Sequence, residues 1–189
     1  MSKEKPTEYV LKLVVLGDAA VGKTSLINQY IEHSFKEDYK PTLGVNIVTK
    51  NVPLKNSPNT VARLVLWDLA AQSKYDLSRQ LFFQGCTGAL FVYDITRPVT
   101  KNNIQIKWYK DLLKFSGTRA AKEGTYLLLG NKSDLKETRR VTKEEGEALS
   151  HELNAIEFIE TSAKYGDNVE KAFETLVDYI INRPNPNFS

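Results

Sequence analysis

Cysteine occurs once in 189 residues and histidine twice, and no stretch of the chain approaches the ~20 consecutive apolar residues of a membrane span. With Cys86 alone, neither a disulfide framework nor a thiolate metal cage can be built, and a reducing, cytosolic setting is expected. Burial as a small apolar residue explains Cys86 better than a reactive thiol does. His33 and His151 stand apart from each other and from acidic clusters, so they read as surface or core residues and not as metal ligands. The opening "MSKEKPTE" is charged and leads into no apolar segment of signal-peptide length. Charge of one sign is also lacking: 26 basic residues face 23 acidic ones, for a net +3, which gives no reason to expect nucleic acid. Internal repeats and low-complexity linkers are missing as well, and the length suits one domain with a real core. We expect residues 1–8 to be a flexible N-terminus, 9–182 the domain, and 183–189 a tail that is either native or shortened.

What is present is an alternation of short apolar runs with amphipathic segments. "YVLKLVVLG" (9–17) is continuous enough for a strand buried on both faces. "GKTSLINQYI" then places Leu26, Ile27, Tyr30 and Ile31 on one side of a helix that starts near Gly22. "VNIVTKNVPL" and "VARLVLWD" flank the turn formers of "KNSPNT" and read as an antiparallel hairpin. "GALFVYDI" (88–95), "TYLLLGN" (125–131) and "AIEFIETS" (155–162) are further strands separated by helical stretches. Thr142 and Glu145 form a capping box, and Asp167 precedes Val169, Phe173, Leu176, Val177 and Ile180 at helical spacing. The predicted fold is therefore α/β in three α/β/α layers: a six-stranded, mostly parallel sheet with one antiparallel hairpin strand and about five helices.

The segment "GDAAVGKT" (17–24) matches G-x-x-x-x-G-K-[ST] and falls between a buried strand and a helix, as a phosphate loop must. Backbone N–H groups of Ala20, Val21, Gly22, Lys23, Thr24 and Ser25 would wrap phosphates, Lys23 would reach the terminal ones, and the Thr24 hydroxyl would bind Mg²⁺. Parallel sheets bind ligands at the carboxyl ends of their strands, which gives Asp68, at the end of "LVLWD", the role of holding Mg²⁺. Alone, Asp68 reads equally well as a turn residue.

A phosphate loop does not choose between adenine and guanine. Guanine presents N1–H beside an exocyclic amine, and one carboxylate accepts from both. Asp134 of "NKSD" (131–134) is the candidate, with Asn131 tying loops together and the Lys132 stem lying over the purine. "TSAK" (161–164) brings Ser162, Ala163 and Lys164, with the Ala163 N–H offered to the guanine carbonyl.

In this order and at strand ends, "GDAAVGKT", "YKPTLGV", "WDLAAQ", "NKSD" and "TSAK" resemble the five guanine-nucleotide motifs of the Ras superfamily, from about Tyr9 to Ile181. Within it the chain is most similar to the Rab group, through "YKPTLGV", Trp67, "GALFVYDIT" and "TSAKYGDNVEKAF". The resemblance implies a P-loop NTPase fold that binds GTP/GDP with Mg²⁺ and hydrolyses GTP slowly as a molecular switch in membrane traffic. It implies that Phe35 packs against guanine and Tyr39 covers the phosphates. Thr42 contacts Mg²⁺ and the γ-phosphate, so the metal set is Thr24, Thr42 and Asp68. Gln72 orients the attacking water, making Gln72 and Lys23 the catalytic pair. It further implies effector proteins bound through residues 35–47 and 68–84, an exchange factor, a GTPase-activating protein, and a cytoplasmic monomer peripheral on endomembranes.

Departures from the family pattern supply a second hypothesis. Ala71 stands where the family has glycine, and although its N–H can still face the γ-phosphate, its Cβ restricts φ and ψ. Ala19 and Leu69 also differ from the usual residues, and no arginine is obviously placed to act in cis. The alternative is thus an interaction module that holds nucleotide with little or no hydrolysis. Rab-like chains generally end in prenylated cysteines, whereas "NRPNPNFS" has none and "MSKEK" lacks the glycine needed for myristoylation.

Overall fold

The computed structural model of the chain describes residues 7–35, 42, 44–54, 59–69, 79–116 and 124–183. Six strands form one sheet: β1 (Thr7–Leu16), β2 (Val45–Pro53), β3 (Thr60–Leu69), β4 (Gly88–Asp94), β5 (Tyr126–Asn131) and β6 (Phe158–Thr161). Their spatial order is β2-β3-β1-β4-β5-β6. Among the described residues only β2 runs antiparallel, paired with β3 so that Ile47 faces Trp67 and Asn46 faces Asp68. The expected sheet is therefore present.

Helices α1 (Lys23–Glu32), α2 (Arg79–Phe83), α3 (98–116), α4 (Lys143–Leu153) and α5 (Val169–Asn182) complete the layers. Side-chain alternation along β1 divides the core. Leu13 and Val15 join Leu26, Ile27 and Tyr30 of α1 and Phe173, Leu176 and Val177 of α5 on one face. Val14 and Leu16 join Ile104, Trp108 and Leu112 of α3 and Leu149 and Leu153 of α4 on the other. The Tyr30 and Phe173 rings stack at 4.0 Å, locking α1 to α5. Every residue of β4 and β5 is buried, which is why both read as unbroken apolar runs.

The boundaries depart from the sequence reading in physical ways. β1 begins at Thr7, two residues before the apolar run, because Thr7 and Glu8 pair with Thr60 and Val61. β6 is confined to Phe158–Thr161 within the expected 155–162. The capping box at Thr142 and Glu145 is formed, and α4 then passes so close to β4 and β6 that a Cβ on Gly146 would meet Phe158 Cζ at 2.3 Å. On α5 the cap is Asn168, left-handed at φ 56, one residue after Asp167. Helix α3 opens with Pro98 and widens into a π-helical stretch at Ile104–Tyr109, which its periodicity did not announce. Cys86 is buried, and that burial pushes its thiol up to about 12.

Candidate functional site

The parallel strands β1, β3, β4, β5 and β6 end on one edge of the sheet, and the expected site residues that can be described lie there or on the first turns that follow, except Phe35 and Thr42, which stand between α1 and β2. Between Leu16 and Lys23 the loop reverses with Ala20 at φ 60 and Gly22 at φ 99. A non-glycine residue held left-handed costs roughly 1 to 2 kcal/mol, and such a bend turns successive N–H groups inward as an anion cradle. Gly22 is obligatory for a second reason: a Cβ there would sit 2.3 Å from Asn131 Nδ2. Val21 is buried beneath the loop, and Ser25 lies in the first turn of α1. Lys23 folds back across the loop, its Nζ donating to the carbonyls of Gly17 and Asp18, each at 2.8 Å. Burial is the main cause of its pKa falling to about 8, with Asp68 and Asp18 opposing and the charges of Lys107 and Arg97 assisting.

Beside Lys23 three oxygen side chains converge. Thr24 Oγ1 lies 2.8 Å from Thr42 Oγ1 and donates a short hydrogen bond to Asp68 Oδ2. Thr42 Oγ1 is 3.5 Å from the same carboxylate oxygen. Asp68 is 1% exposed, and its Oδ1 has no hydrogen-bond partner among the described residues. Burial pushes its carboxyl above the usual range against the pull of Thr24 and Lys23. A buried carboxylate with a spare oxygen beside two hydroxyls is a hard-oxygen donor set of the kind Mg²⁺ prefers.

At the other end, sheet register aligns Asp94 with Asn131 and Asn131 with Thr161. Asn131 Nδ2 donates to Val21 O at 2.8 Å, while its Oδ1 accepts from Thr161 Oγ1 at 3.1 Å and from Ala163 N at 3.2 Å. One amide thus ties together three loops. The Ala163 N–H, expected to face a guanine carbonyl, is turned inward by this bond. Ser162 Oγ donates to Asp134 Oδ1 at 2.6 Å, orienting that carboxylate. Lys132 is left-handed at φ 69, and its ammonium pairs with Asp94 Oδ2 at 2.7 Å. Lys164 is exposed, as is Phe35 just past α1. Tyr39, Ala71 and Gln72 lie outside the described residues.

A phosphate cradle, a hard-oxygen triad and an Asn-Lys-Asp tip on one sheet edge are accompanied by a match of residues 12–182 to the model of the Ras family. The chain belongs to the Ras family. It is 37% identical to Ras-related protein RABA6b of Arabidopsis thaliana over 95% of the chain and 74% of that relative. It is 36% identical to Ras-related protein Rab-11C of Dictyostelium discoideum over 95% of the chain and 76% of the relative. Identity is also 36% to GTP-binding protein ypt3 of Schizosaccharomyces pombe, over 95% and 80%. This member of the Ras family is Rab-like, a small GTPase and hence a GTP hydrolase.

Several residues around the site of this Ras-family chain were not foreseen. Asp18 is gripped from α3, accepting from Asn103 Nδ2 at 2.6 Å and from Trp108 Nε1 at 2.8 Å. Trp108 belongs to the π-helical stretch at Ile104–Tyr109. Arg97, passed over in the sequence, donates from Nη2 to Ala19 O at 2.9 Å and from Nε to Asp94 Oδ2 at 3.1 Å. The available signal was Asp94 itself, a second carboxylate delivered to a strand tip as Asp68 is. Among the described residues no helix is long and apolar enough to cross a membrane.

Proposed function

We propose that this Rab-like GTPase binds GTP and GDP with Mg²⁺ at the strand tips and works as a slow switch in membrane traffic, engaging effectors through residues 35–47 and 68–84. The convergence of Thr24, Thr42 and Asp68 beside the buried Lys23 carries this reading. Thr24, Thr42 and Asp68 would hold Mg²⁺, which when bound neutralises charge on the phosphate oxygens. Lys23 and the N–H groups of residues 20–25 bind the phosphates. Asp134, oriented by Ser162, accepts from the guanine edge, and Lys132 and Phe35 flank the base. Gln72 orients the attacking water, and Tyr39 and Thr42 close over the phosphates. Exchange factors and GTPase-activating proteins set the two rates, and an arginine from the latter adds on the order of 10³ to 10⁵ in turnover. Peripheral attachment to endomembranes belongs to the same proposal.

Ala71 tempers the switch. A strained conformation costs a non-glycine residue roughly 1 to 2 kcal/mol, about five- to thirtyfold in an equilibrium. That is small against a whole cradle of phosphate and base contacts, so binding persists. It is large against a difference between two nucleotide states, which is all that drives switching. The purified protein is to be denatured, its released nucleotide identified, and added GTP followed with time. Release of GDP with slow conversion of GTP supports the switch. Indefinitely persisting GTP overturns hydrolysis, and release of an adenine nucleotide overturns the whole reading.

A further inference from the structure

Asp94 closes β4 and is 1% exposed, yet it is surrounded by donors. Its Oδ1 accepts from Thr96 N at 2.9 Å and Thr96 Oγ1 at 2.7 Å. Its Oδ2 faces two cations at once, Lys132 Nζ at 2.7 Å and Arg97 Nε at 3.1 Å. Burial works to raise this carboxyl, but the hydrogen bonds from Lys132 and Thr96 outweigh it and hold the group below the usual carboxylate range. The far side of the Arg97 guanidinium reaches Ala19 O of the phosphate loop at 2.9 Å. A continuous path therefore runs from Lys132 through one carboxylate oxygen and one guanidinium to the backbone of the phosphate loop.

The backbone beneath Arg97 is built to aim it. Arg97 N donates to Asp94 O at 2.9 Å, Thr100 Oγ1 donates to Arg97 O at 2.7 Å, and Pro98 fixes the next φ. Arg97 therefore keeps its direction although its side chain is 40% exposed. An arginine suits this geometry, because its planar guanidinium presents Nε and Nη2 to acceptors on different sides, whereas all three donors of a lysine sit on one nitrogen.

We propose that Arg97 is a positioning residue which, through Asp94, clasps the base-side lysine Lys132 to the phosphate loop, so that both ends of the bound nucleotide loosen together. The proposal rests on the guanine-nucleotide reading above and adds to it a determinant of nucleotide release. A clasp of this kind slows release without contributing to capture. It also makes the two cations interdependent, since removing either frees Asp94 from half of its duty.

Release and association of fluorescent GDP, measured on the full chain and its variants, test this. Arg97→Ala is expected to speed release on the order of tenfold, the worth of one charge-assisted hydrogen bond, with association unchanged. Arg97→Lys should fall between Arg97→Ala and the unaltered chain. The Arg97→Ala, Lys132→Ala pair should release GDP more slowly than the product of the two single effects predicts, and in an Asp94→Asn background that interdependence should vanish. A residue that merely stabilised the fold would give independent effects and no dependence on Asp94. Single effects that multiply within about twofold, or release from Arg97→Ala within about twofold of the unaltered chain, overturn the clasp. Where Arg97→Ala does not fold, Arg97→Lys and Asp94→Asn give the same comparison. Failure of the unaltered chain to bind GDP strikes the underlying reading instead, whereas GDP binding with independent effects strikes the clasp alone.

Discussion

At the proposed base end of the site, Asn131 spends both amide atoms on protein partners and Asp134 accepts from Ser162, whereas at the proposed cation end Asp68 keeps a buried carboxylate oxygen with no partner among the described residues. The first arrangement is complete as a piece of protein. The second crowds two hydroxyl donors onto one carboxylate oxygen and leaves the other bare among the described residues: Thr24 and Thr42 both turn to Asp68 Oδ2, and burial raises the Asp68 carboxyl. A base edge is read by groups fixed in advance, because misdirected donors and acceptors cannot discriminate. A cation is held by groups that cost stability until it arrives. Base-end substitutions should therefore damage the fold as well as binding, and cation-end substitutions should damage binding while sparing or helping the fold.

The strongest test of that contrast is Asn131→Ala, which deletes three buried hydrogen bonds. At about 1 kcal/mol each, the loss is about 3 kcal/mol, or roughly 6 to 12 °C in melting temperature without added nucleotide, together with weaker GDP binding. An unchanged melting temperature would break the comparison. Next in size is Ala71→Gly, expected to raise the GTP-over-GDP preference about five- to thirtyfold, as read from competition between the two nucleotides. Unchanged relative affinities would separate Ala71 from switching.

Asp68→Asn sharpens the comparison by its opposite sign. A group whose folded pKa is raised gives stability that is present at low pH and lost as pH rises through the folded value. At neutral pH the substitution should therefore raise stability in chelator by about 1 kcal/mol while weakening Mg²⁺-dependent GDP binding. A fall in chelator stability would contradict it. The smallest effect belongs to Asp94→Asn. A depressed carboxylate contributes stability above its unfolded pKa, near 4, and loses it as pH falls through the folded value. Urea titrations should show the variant weaker by up to about 1 kcal/mol at pH 7 and converging with the unaltered chain in acid. A deficit that persists at low pH would mean that Asp94 acts through packing and not charge.

Much of the fold was legible because burial leaves its mark on composition. β4 and β5, covered on both faces, appear as apolar runs, and the capping box of α4 appears as Thr142 and Glu145 at their required spacing. Thr7 and Glu8 were missed as strand because polar residues become extended there only by pairing with Thr60 and Val61. The π-helical turn at Ile104–Tyr109 was missed because its residues repeat like any buried helix face. In the site, Lys23, Thr24, Asp68, Asn131 and Asp134 were legible as local motifs. Asp94 and Arg97 were not, since "GALFVYDIT" carries Asp94 with no role attached to it, Arg97 lies just past that segment, and the pair meets Lys132 and Ala19 only across strands.

The sequence by itself determined the alternation of strands and helices, the phosphate loop and the residues that stand at the strand ends, because each depends on neighbours within a few positions. Tertiary structure alone decided that Asp94, Asn131 and Thr161 share one register row, that Trp108 reaches Asp18, and that one carboxylate joins Lys132 to Arg97. The reason is physical: hydrogen bonds and ion pairs act over about 3 Å, and only packing strands and helices side by side brings residues tens of positions apart within that reach.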